Sequence, residues 1–350
     1  MRFALSEDQA LLQRATREFF AAEFPMACNR RVMEADGPGF EPAGWARLAA
    51  MGYLGLTVPA ARGGQGLGAV ELAVVLEEAG RHGVPGPLLD VMLAAALLAA
   101  APDDTGLLAD VLAGRRLAVL ARADALYAGA PGPAATFAGG RVRGTKYFVP
   151  FAGSADALLV TTAGEVVVAE GPFAAVPLPT FDPAQRFAQV DLDRAATRLG
   201  PLELLEPVDQ LAAVGASAML LGIMQTLLDT TIAYTRTRHA FGKPIAAFQA
   251  LQHRMADMLV RTEATRAAVY RAAWCLDTRD PDAALACAAA KAWAGDAARL
   301  VAGEAIQMHG GIGFTWELDV HFHVKRVKTL EQHYGATSAQ LERALVAAGY

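Results

Sequence analysis

One stretch of the sequence, residues 234–252 (YTRTRHAFGKPIAAFQALQ), constrains the possible folds more than any other. It joins two helical patterns, because an apolar run precedes it and an amphipathic period restarts after Pro244. The turn between them is basic, aromatic and glycine-bearing, and it contains Arg236, Arg238, His239, Phe241, Gly242 and Lys243. Arginine offers a planar fork to phosphate oxygens and glycine lets a backbone approach closely, so this turn suits a flat, anionic ligand. A solvated helix hairpin is the simpler alternative, and a second glycine-rich stretch at 307–314 favours the ligand.

The composition excludes several classes of protein. With 350 residues, 54% of them apolar, the chain can bury a large core and exceeds one typical domain. A net charge of −5 without a long basic run argues against a nucleic-acid partner. The three cysteines, Cys28, Cys275 and Cys287, lack metal-ligand spacing. We therefore expect them to be small buried hydrophobes in a reducing compartment, and we expect no metal site.

Two apolar stretches were weighed as membrane spans. Residues 91–101 are too short to cross a bilayer, and residues 211–228 contain polar and small residues without flanking cationic anchors. The longer stretch is therefore predicted to be a helix buried in a bundle. The first residues have no apolar signal-peptide core, so we expect a soluble, cytoplasmic chain that does not bind a membrane.

The order of patterns predicts an α+β protein. Residues 1–112 show helical periods, starting at a cap on Ser6, and are predicted to form an N-terminal helical domain. Residues 113–204 alternate β-rich runs with glycine and proline, which predicts a small antiparallel β domain with strands at 117–121, 141–149, 157–162, 165–169 and 187–192. Residues 205–350 are predicted to form a four-helix bundle from periods at 211–235, 245–276, 281–309 and 317–332.

At this point the sequence resembles the flavin-dependent acyl-CoA dehydrogenase family over essentially its whole length. The matching segments are WARLAAMGYLGLTVPAARGGQGLG (45–68), VRGTKYFVPFAGSADALLV (142–160), RTRHAFGKPIAAFQALQHRMADM (236–258) and IQMHGGIGFTWELD (306–319). A GGIG run alone is a weak indication of the family, whereas an RxxFGxPIxxFQ motif followed by QxxGGxGF is a specific one. The resemblance implies FAD, an oligomer, and α,β-dehydrogenation of an acyl-CoA thioester. It also implies a carboxylate base and an electron-transfer flavoprotein, or a similar acceptor, that reoxidises the flavin.

The resemblance also implies roles for individual residues. Arg238 is expected to meet the FAD pyrophosphate of a neighbouring subunit, Phe241 to pack on the cofactor, and Gln249 to bond its adenosine end. Gln307, Gly310 and Gly311 are expected to bring backbone N–H groups against it. The alternatives stay open: a surface arginine, a core aromatic, a solvated helix glutamine and a plain helix C-cap. His309 is interpreted as a helix cap, and Glu317 and Asp319 as structural residues at a helix start.

The departures from the family pattern concern catalysis. Counting from the glycine pair places Tyr334, or with a shift of one Gly335, where the family carries its glutamate base. A second family base position falls on Ala212, and a neighbouring family arginine becomes Ala213. A tyrosine, whose pKa is ordinarily about 10, is a poor general base near neutral pH. Glu331 lies one helical turn earlier and could substitute, although a solvated helix residue is the simpler interpretation.

The contacts that a subunit makes with its own flavin also differ. The stretch at 117–133 (LAVLARADALYAGAPGP) replaces the family segment that cradles the flavin ring. The family Trp-x-Thr strand becomes Phe148-Val149-Pro150, which lacks the threonine hydroxyl and one backbone N–H.

These losses predict the base-less subunit of an α2β2 acyl-CoA dehydrogenase, which lends cofactor contacts to a second, unlike subunit. The alternatives are a self-sufficient homo-oligomer that uses an atypical base such as Glu331, a non-catalytic scaffold on the same fold, and a flavoenzyme with another reaction. The sequence does not identify the acyl group. The resemblance associates the short β domain with bulky acyl groups such as steroid side chains. The small residues at 212 and 213 are compatible with a wide pocket and equally with no pocket at all.

Overall fold

The computed structural model describes residues 4–102, 105–126 and 132–350. Its α-helices are α1 (Glu7–Glu23), α2 (Met26–Glu34), α3 (Pro42–Ala50), α4 (Ala69–His82), α5 (Leu88–Ala100), α6 (Leu107–Leu112), α7 (Leu205–Thr237), α8 (Gln249–Thr278), α9 (Ala283–His309), α10 (Val320–Gln332) and α11 (Thr337–Ala347). Its strands are β1 (Ala118–Ala121), β2 (Thr136–Ala138), β3 (Arg141–Pro150), β4 (Ala157–Thr161), β5 (Glu165–Glu170), β6 (Ala175–Leu178), β7 (Phe187–Pro201), β8 (His239–Ala240) and β9 (Lys243–Pro244). Helices precede and follow the strands, which confirms the predicted α+β class.

The chain divides into two compact units. The helical unit comprises residues 1–27, 68–84 and 210–350, and the sheet unit comprises residues 28–67 and 85–209. The three-domain division with boundaries at 112 and 204 stays a prediction. Those boundaries fall where α6 ends at Leu112 and in the short segment between β7 and α7.

The sheet unit is built around a seven-stranded sheet with the order β1-β4-β5-β7-β3-β2, and β6 also pairs with β7. All of its pairings are antiparallel except β1 with β4, which is parallel. The expectation of a purely antiparallel sheet is therefore wrong for this pair. A parallel pair needs a long crossover, and here β2 and β3 intervene in sequence. Local alternation of apolar residues carries no information on strand direction.

Strand β7 is much longer than the predicted run at 187–192. Its first part pairs with β3 from Phe187 to Ala195, and its last part pairs with β5 from Ala196 to Pro201. One continuous strand thus joins the two parts of the sheet. The sequence signal for its second half is weak, since exposed and partly exposed residues dominate there.

In the helical unit, α4 packs closely against α7 through two glycines. A Cβ atom on Gly222 would lie 1.9 Å from the carbonyl oxygen of Glu77, and one on Gly80 would lie 2.1 Å from that of Met219. The Asp277 carboxylate at the end of α8 accepts hydrogen bonds from the first N–H groups of α4, at 2.6 Å from Ala69 and 3.0 Å from Val70. A distant side chain therefore caps this helix.

Several local predictions agree with the structure. Ser6 caps α1 in a capping box with Gln9, and all three cysteines are buried. The apolar segment Leu202–Thr237 is long enough to cross a membrane, but 83% of its apolar window is buried inside the protein. The elements α2, α11, β2 and β6 were not predicted, because they are short or have weak periods.

Candidate functional site

The basic turn, residues 236–245, follows the end of α7 as a tight hairpin between β8 and β9. Phe241 and Gly242 occupy its two central positions with φ of 52° and 80°. A type I′ hairpin needs positive φ at both central positions, and for a bulky residue such as phenylalanine that conformation is strained. The Phe241 side chain is also 94% exposed, and its ring meets the Phe248 ring edge to face with centroids 6.1 Å apart. A strained, exposed aromatic ring adds little stability to the isolated chain. The conformation and exposure of Phe241 therefore indicate a contact outside the chain.

The charges of the basic turn are exposed. Neither Arg236 nor Arg238 makes an ion pair or side-chain hydrogen bond with any residue that the structure describes, and both are exposed. The Lys243 ammonium lies over the Phe248 ring at 4.4 Å from its centroid. The two unpaired guanidinium groups can therefore bind an anion without breaking an internal contact.

The glycine turn, residues 310–314, follows the end of α9. Gly310 has φ of 66°, which glycine adopts at little cost. Cβ atoms on Gly310 and Gly311 would meet nothing within 4 Å, so the space beside this backbone is open. Gln307, two residues before the end of α9, is exposed. The predicted positions in this turn thus present backbone to the outside of the chain.

The two turns are neighbours. The Tyr234 ring in the last turn of α7 stacks on the His309 ring at the end of α9, with centroids 4.4 Å apart and an angle of 27°. Gln249, the last of the predicted contacts, is exposed as the first residue of α8 and follows Phe248 directly. The structure therefore brings two motifs together that are far apart in sequence. All six predicted cofactor residues are exposed: Arg238, Phe241, Gln249, Gln307, Gly310 and Gly311.

The position predicted for the family base lies in the base loop, residues 333–336, between α10 and α11. Tyr334 has φ of 62° and Gly335 has φ of 101°. The Lys291 ammonium donates hydrogen bonds to the carbonyl oxygens of Glu331 at 3.1 Å and Gly335 at 3.0 Å. The Gln340 amide donates to the Tyr334 carbonyl at 2.9 Å. The backbone of this loop is thus held by internal hydrogen bonds, and neither Tyr334 nor Gly335 supplies a carboxylate.

Lys291 is a feature of the base loop that the sequence did not indicate. Its side chain is fully buried in α9, and burial lowers its pKa to about 8 against a smaller opposing effect of the Glu331 carboxylate. A single lysine in an alanine-rich helix was the only available signal.

The second base position, Ala212, is buried within α7 and is equally unable to accept a proton.

Glu331, the candidate substitute base, is already engaged. Its carboxylate lies 3.7 Å from the Arg299 guanidinium and 3.5 Å from the Lys328 ammonium, and its side chain is 10% exposed. The interpretation as a solvated helix residue is therefore wrong, because Glu331 is buried and paired with two cations.

The sheet unit contains the strand that would face a subunit's own flavin. Phe148, with φ of 50°, sits at an irregularity where the register of β3 against β7 shifts, and Pro150 pairs with Phe187. Beside them the buried Lys146 ammonium bonds the Asp124 carboxylate at 2.6 Å, and burial lowers the pKa of this lysine. This part of β3 therefore lacks the hydroxyl that the family strand carries, and Pro150 has no backbone N–H to donate. The replaced stretch at 117–133 is described only in part, since residues 127–131 lie outside the described chain.

These features can be compared with the demands of FAD. A diphosphate needs unpaired cationic donors and close backbone approach, which the basic turn and the glycine turn provide. A flavin ring held by the family strand needs hydroxyl and N–H donors, which Phe148-Val149-Pro150 does not provide. The residues present thus fit one part of the cofactor and not the other. Within the described residues, no group of three His, Cys, Asp or Glu is placed to hold a metal ion.

Known proteins show the same fold and related sequences. The family models "Acyl-CoA dehydrogenase, N-terminal domain" and "Acyl-CoA dehydrogenase, C-terminal domain" match residues 6–104 and 210–348. Acyl-CoA dehydrogenase IpdE2 of Mycolicibacterium smegmatis is 32% identical over 97% of this chain and 98% of its own length. The ChsE4-ChsE5 complex from Mycobacterium tuberculosis contains a chain that is 26% identical, with a TM-score of 0.90 and 99% coverage of both chains. A variant of the Tcur3481-Tcur3483 steroid ACAD is 29% identical, with a TM-score of 0.89 and 98% coverage of both chains.

Proposed function

We infer the function from one premise: the chain belongs to the acyl-CoA dehydrogenase family. It is a subunit of an FAD-dependent enzyme that dehydrogenates an acyl-CoA thioester between its α and β carbons. Within that enzyme it is the subunit without a base, and it lends cofactor contacts to a second acyl-CoA dehydrogenase-type subunit in an α2β2 assembly. The relative named as a ChsE4-ChsE5 complex supports an enzyme of two unlike chains.

One observation carries this proposal. Every residue predicted to serve a neighbour's cofactor is exposed, and the guanidinium of Arg238 has no partner within the described chain. By contrast, the base positions hold Ala212 and either Tyr334 or Gly335, none of which carries a carboxylate. A chain that completes another polypeptide's site requires this division.

The residues of this chain would act by binding and orientation. FAD, when bound, supplies the acceptor for the hydride from the β carbon. Arg238 would bind the diphosphate through charge-assisted hydrogen bonds, and the open backbone at Gly310 and Gly311 would approach it closely. Phe241 would cover an apolar face of the cofactor. Removal of the α proton falls to a carboxylate of the partner subunit, and an electron-transfer flavoprotein or a similar acceptor reoxidises the flavin.

We place the substrate among bulky acyl-CoA thioesters, such as those with a steroid-derived acyl group. The name of the Tcur3481-Tcur3483 relative as a steroid ACAD supports this class. The small, buried Ala212 and Ala213 are compatible with it, because they leave more room along α7 than a glutamate and an arginine would.

Purification of the chain alone and with a base-bearing partner tests the proposal. We expect the chain alone to be colourless and inactive in a dye-reduction assay. The co-expressed pair should carry one flavin per heterodimer and oxidise a steroid side-chain CoA ester faster than butyryl-CoA. A chain that binds flavin and oxidises acyl-CoA by itself would contradict the base-less role and favour the self-sufficient homo-oligomer. A pair that stays colourless would favour a scaffold.

A further inference from the structure

The stacked rings of Tyr234 and His309 lie where the two cofactor-lending turns meet. We propose that His309 is a positioning residue that couples the basic turn to the glycine turn, so that a disturbance of one turn reaches the other. The role in binding FAD rests on the proposed function. The coupling itself is a property of this chain and can be measured without a cofactor.

The orientation of the His309 ring is fixed from within α9. Its Nδ1 lies 2.7 Å from the carbonyl oxygen of Ala305, one turn earlier. Because a carbonyl oxygen only accepts, Nδ1 must carry the proton, which assigns the tautomer from chemistry. The side chain is buried, and Nε2 has no hydrogen-bond partner among the described residues. A buried, unsatisfied nitrogen lowers stability, and a phenylalanine would avoid that cost. Compared with a phenyl ring, the imidazole of His309 adds the hydrogen bond to the Ala305 carbonyl oxygen. That hydrogen bond fixes the plane in which the ring stacks on Tyr234.

Tyr234 connects this ring to the basic turn. Its ring stacks on His309, and its hydroxyl donates to the His309 carbonyl oxygen at 3.4 Å. Its own carbonyl oxygen accepts a hydrogen bond from the Arg238 N–H at 2.9 Å, and the Arg238 carbonyl in turn accepts from the Ile245 N–H at 2.8 Å. The backbone of the predicted phosphate-binding arginine is therefore one hydrogen bond away from the stacked tyrosine.

Gly313 connects the same histidine to the glycine turn. A Cβ atom at this buried glycine would lie 3.0 Å from the His309 Cβ and 3.1 Å from the carbonyl oxygen of Ile306. The glycine turn thus folds back directly onto His309. A continuous packed path runs from Arg238 through Tyr234 and His309 to Gly313, and packed paths of this kind carry coupling between sites.

Hydrogen exchange on the chain without cofactor tests the coupling. We expect Tyr234→Ala to raise exchange of the amides of residues 310–314 about tenfold, because the stack no longer holds them. Tyr234→Phe, which keeps the ring and loses the long hydroxyl bond, should change them little. Thr237→Ala is the matched control, since its exposed hydroxyl bonds only carbonyls of its own helix end, Ala233 and Tyr234. This control leaves the Tyr234–His309 stack in place and should change the exchange of residues 310–314 little.

The FAD affinity of the assembled enzyme gives the second measurement. His309→Ala should weaken FAD binding about tenfold, and His309→Phe should restore most of that loss by rebuilding the stack. The double variant, Tyr234→Ala with His309→Ala, should bind FAD no more weakly than whichever of the two single variants has the lower affinity for FAD. His309→Leu provides a bulky replacement that fills the space without stacking, in case the alanine variant does not fold, and it should behave as His309→Ala.

The two measurements separate the two ideas. Unchanged exchange at residues 310–314 in folded Tyr234→Ala would overturn the coupling, whether or not FAD binds. Wild-type FAD affinity in both His309→Ala and His309→Leu would overturn the positioning role. Coupled exchange in a chain whose complexes never bind FAD would support the coupling and refute the proposed function instead.

Discussion

The polar groups of the base loop are satisfied within the chain, whereas those of the basic turn and the glycine turn are left open. In the loop, the carbonyls of Glu331, Tyr334 and Gly335 accept hydrogen bonds from buried side chains of the same subunit. In the turns, the guanidinium of Arg238 has no partner among the described residues, and the backbone beside Gly310 faces open space. A polar group that is satisfied internally stabilises the fold, whereas one left open is available to a ligand. The contrast supports the proposal that the turns bind a cofactor, whereas the internal bonds of the loop stabilise the fold.

The prediction with the largest expected effect tests the internal hydrogen bonds of the base loop. Because burial lowers the pKa of Lys291 from 10.5 to about 8, the unfolded chain binds the proton more strongly between these pH values. The free energy of unfolding should therefore rise by up to about 3 kcal/mol as pH increases from 8 to 10.5. In Lys291→Met the part of this rise that comes from Lys291 should be absent, leaving the contribution of the buried Lys146, whose pKa burial also lowers. Urea unfolding at several pH values will measure this difference.

Lys328→Met is the matched control for that prediction. Its ammonium is 45% exposed and pairs with the same Glu331 carboxylate. The pH dependence of this variant should follow that of the parent chain, since exposed ion pairs contribute little. Parallel pH curves for Lys291→Met and the parent chain would show that the buried ammonium does not titrate as expected.

The second prediction tests the exposed basic turn. Arg238→Ala should weaken FAD binding to the assembled enzyme by about 10- to 100-fold, because a charge-assisted hydrogen bond contributes roughly 1.5–3 kcal/mol. Arg236→Ala, which removes an equally exposed charge from the same turn, should weaken it by less than about threefold, since screened charges contribute little. Equal losses in a titration of flavin fluorescence would mean that general positive charge, and not Arg238 itself, binds the cofactor.

A third effect separates binding from stability in one residue. Phe241 holds a left-handed conformation that costs a bulky side chain roughly 1–2 kcal/mol, and asparagine adopts it more readily. Phe241→Asn should therefore raise the free energy of unfolding of the isolated chain by about 1 kcal/mol while it weakens FAD binding in the complex. A less stable isolated chain in thermal melts would instead identify Phe241 as a packing residue of this subunit.

The smallest expected effect concerns Glu331. Since two cations already engage its carboxylate, Glu331→Gln should change the turnover of the assembled enzyme by less than about threefold. A general base in this position would instead lose a factor of about 100 or more. Steady-state rates with a saturating acyl-CoA therefore discriminate between the two-subunit enzyme and the self-sufficient one.

Much of the fold and part of the site follow from local sequence. The helical period of α7 and the short β-rich runs of β4 and β5 predict elements that the structure contains within a few residues. The pair Phe241-Gly242 marks a tight turn. That Arg238 and the glycines contact FAD stays a prediction, although their exposure favours it.

Other features depended on contacts between distant segments. Periodicity did not give the parallel pairing of β1 with β4, and it did not separate the buried, paired Glu331 from a solvated helix residue. His309 was interpreted as a cap, and its stack on Tyr234 has no local signature. Each of these depends on which remote segment covers a given face, and the local pattern does not specify that.

The sequence by itself determined the order of helices, strands and bundle, and the types of residue at the base positions, because both depend on residue identity along the chain. Tertiary structure decided that Lys291 is buried beneath the base loop and that Tyr234 joins the basic turn to the glycine turn. The physical reason is that burial and stacking depend on which surfaces meet in the folded chain. An apolar period encodes only that a surface must be covered.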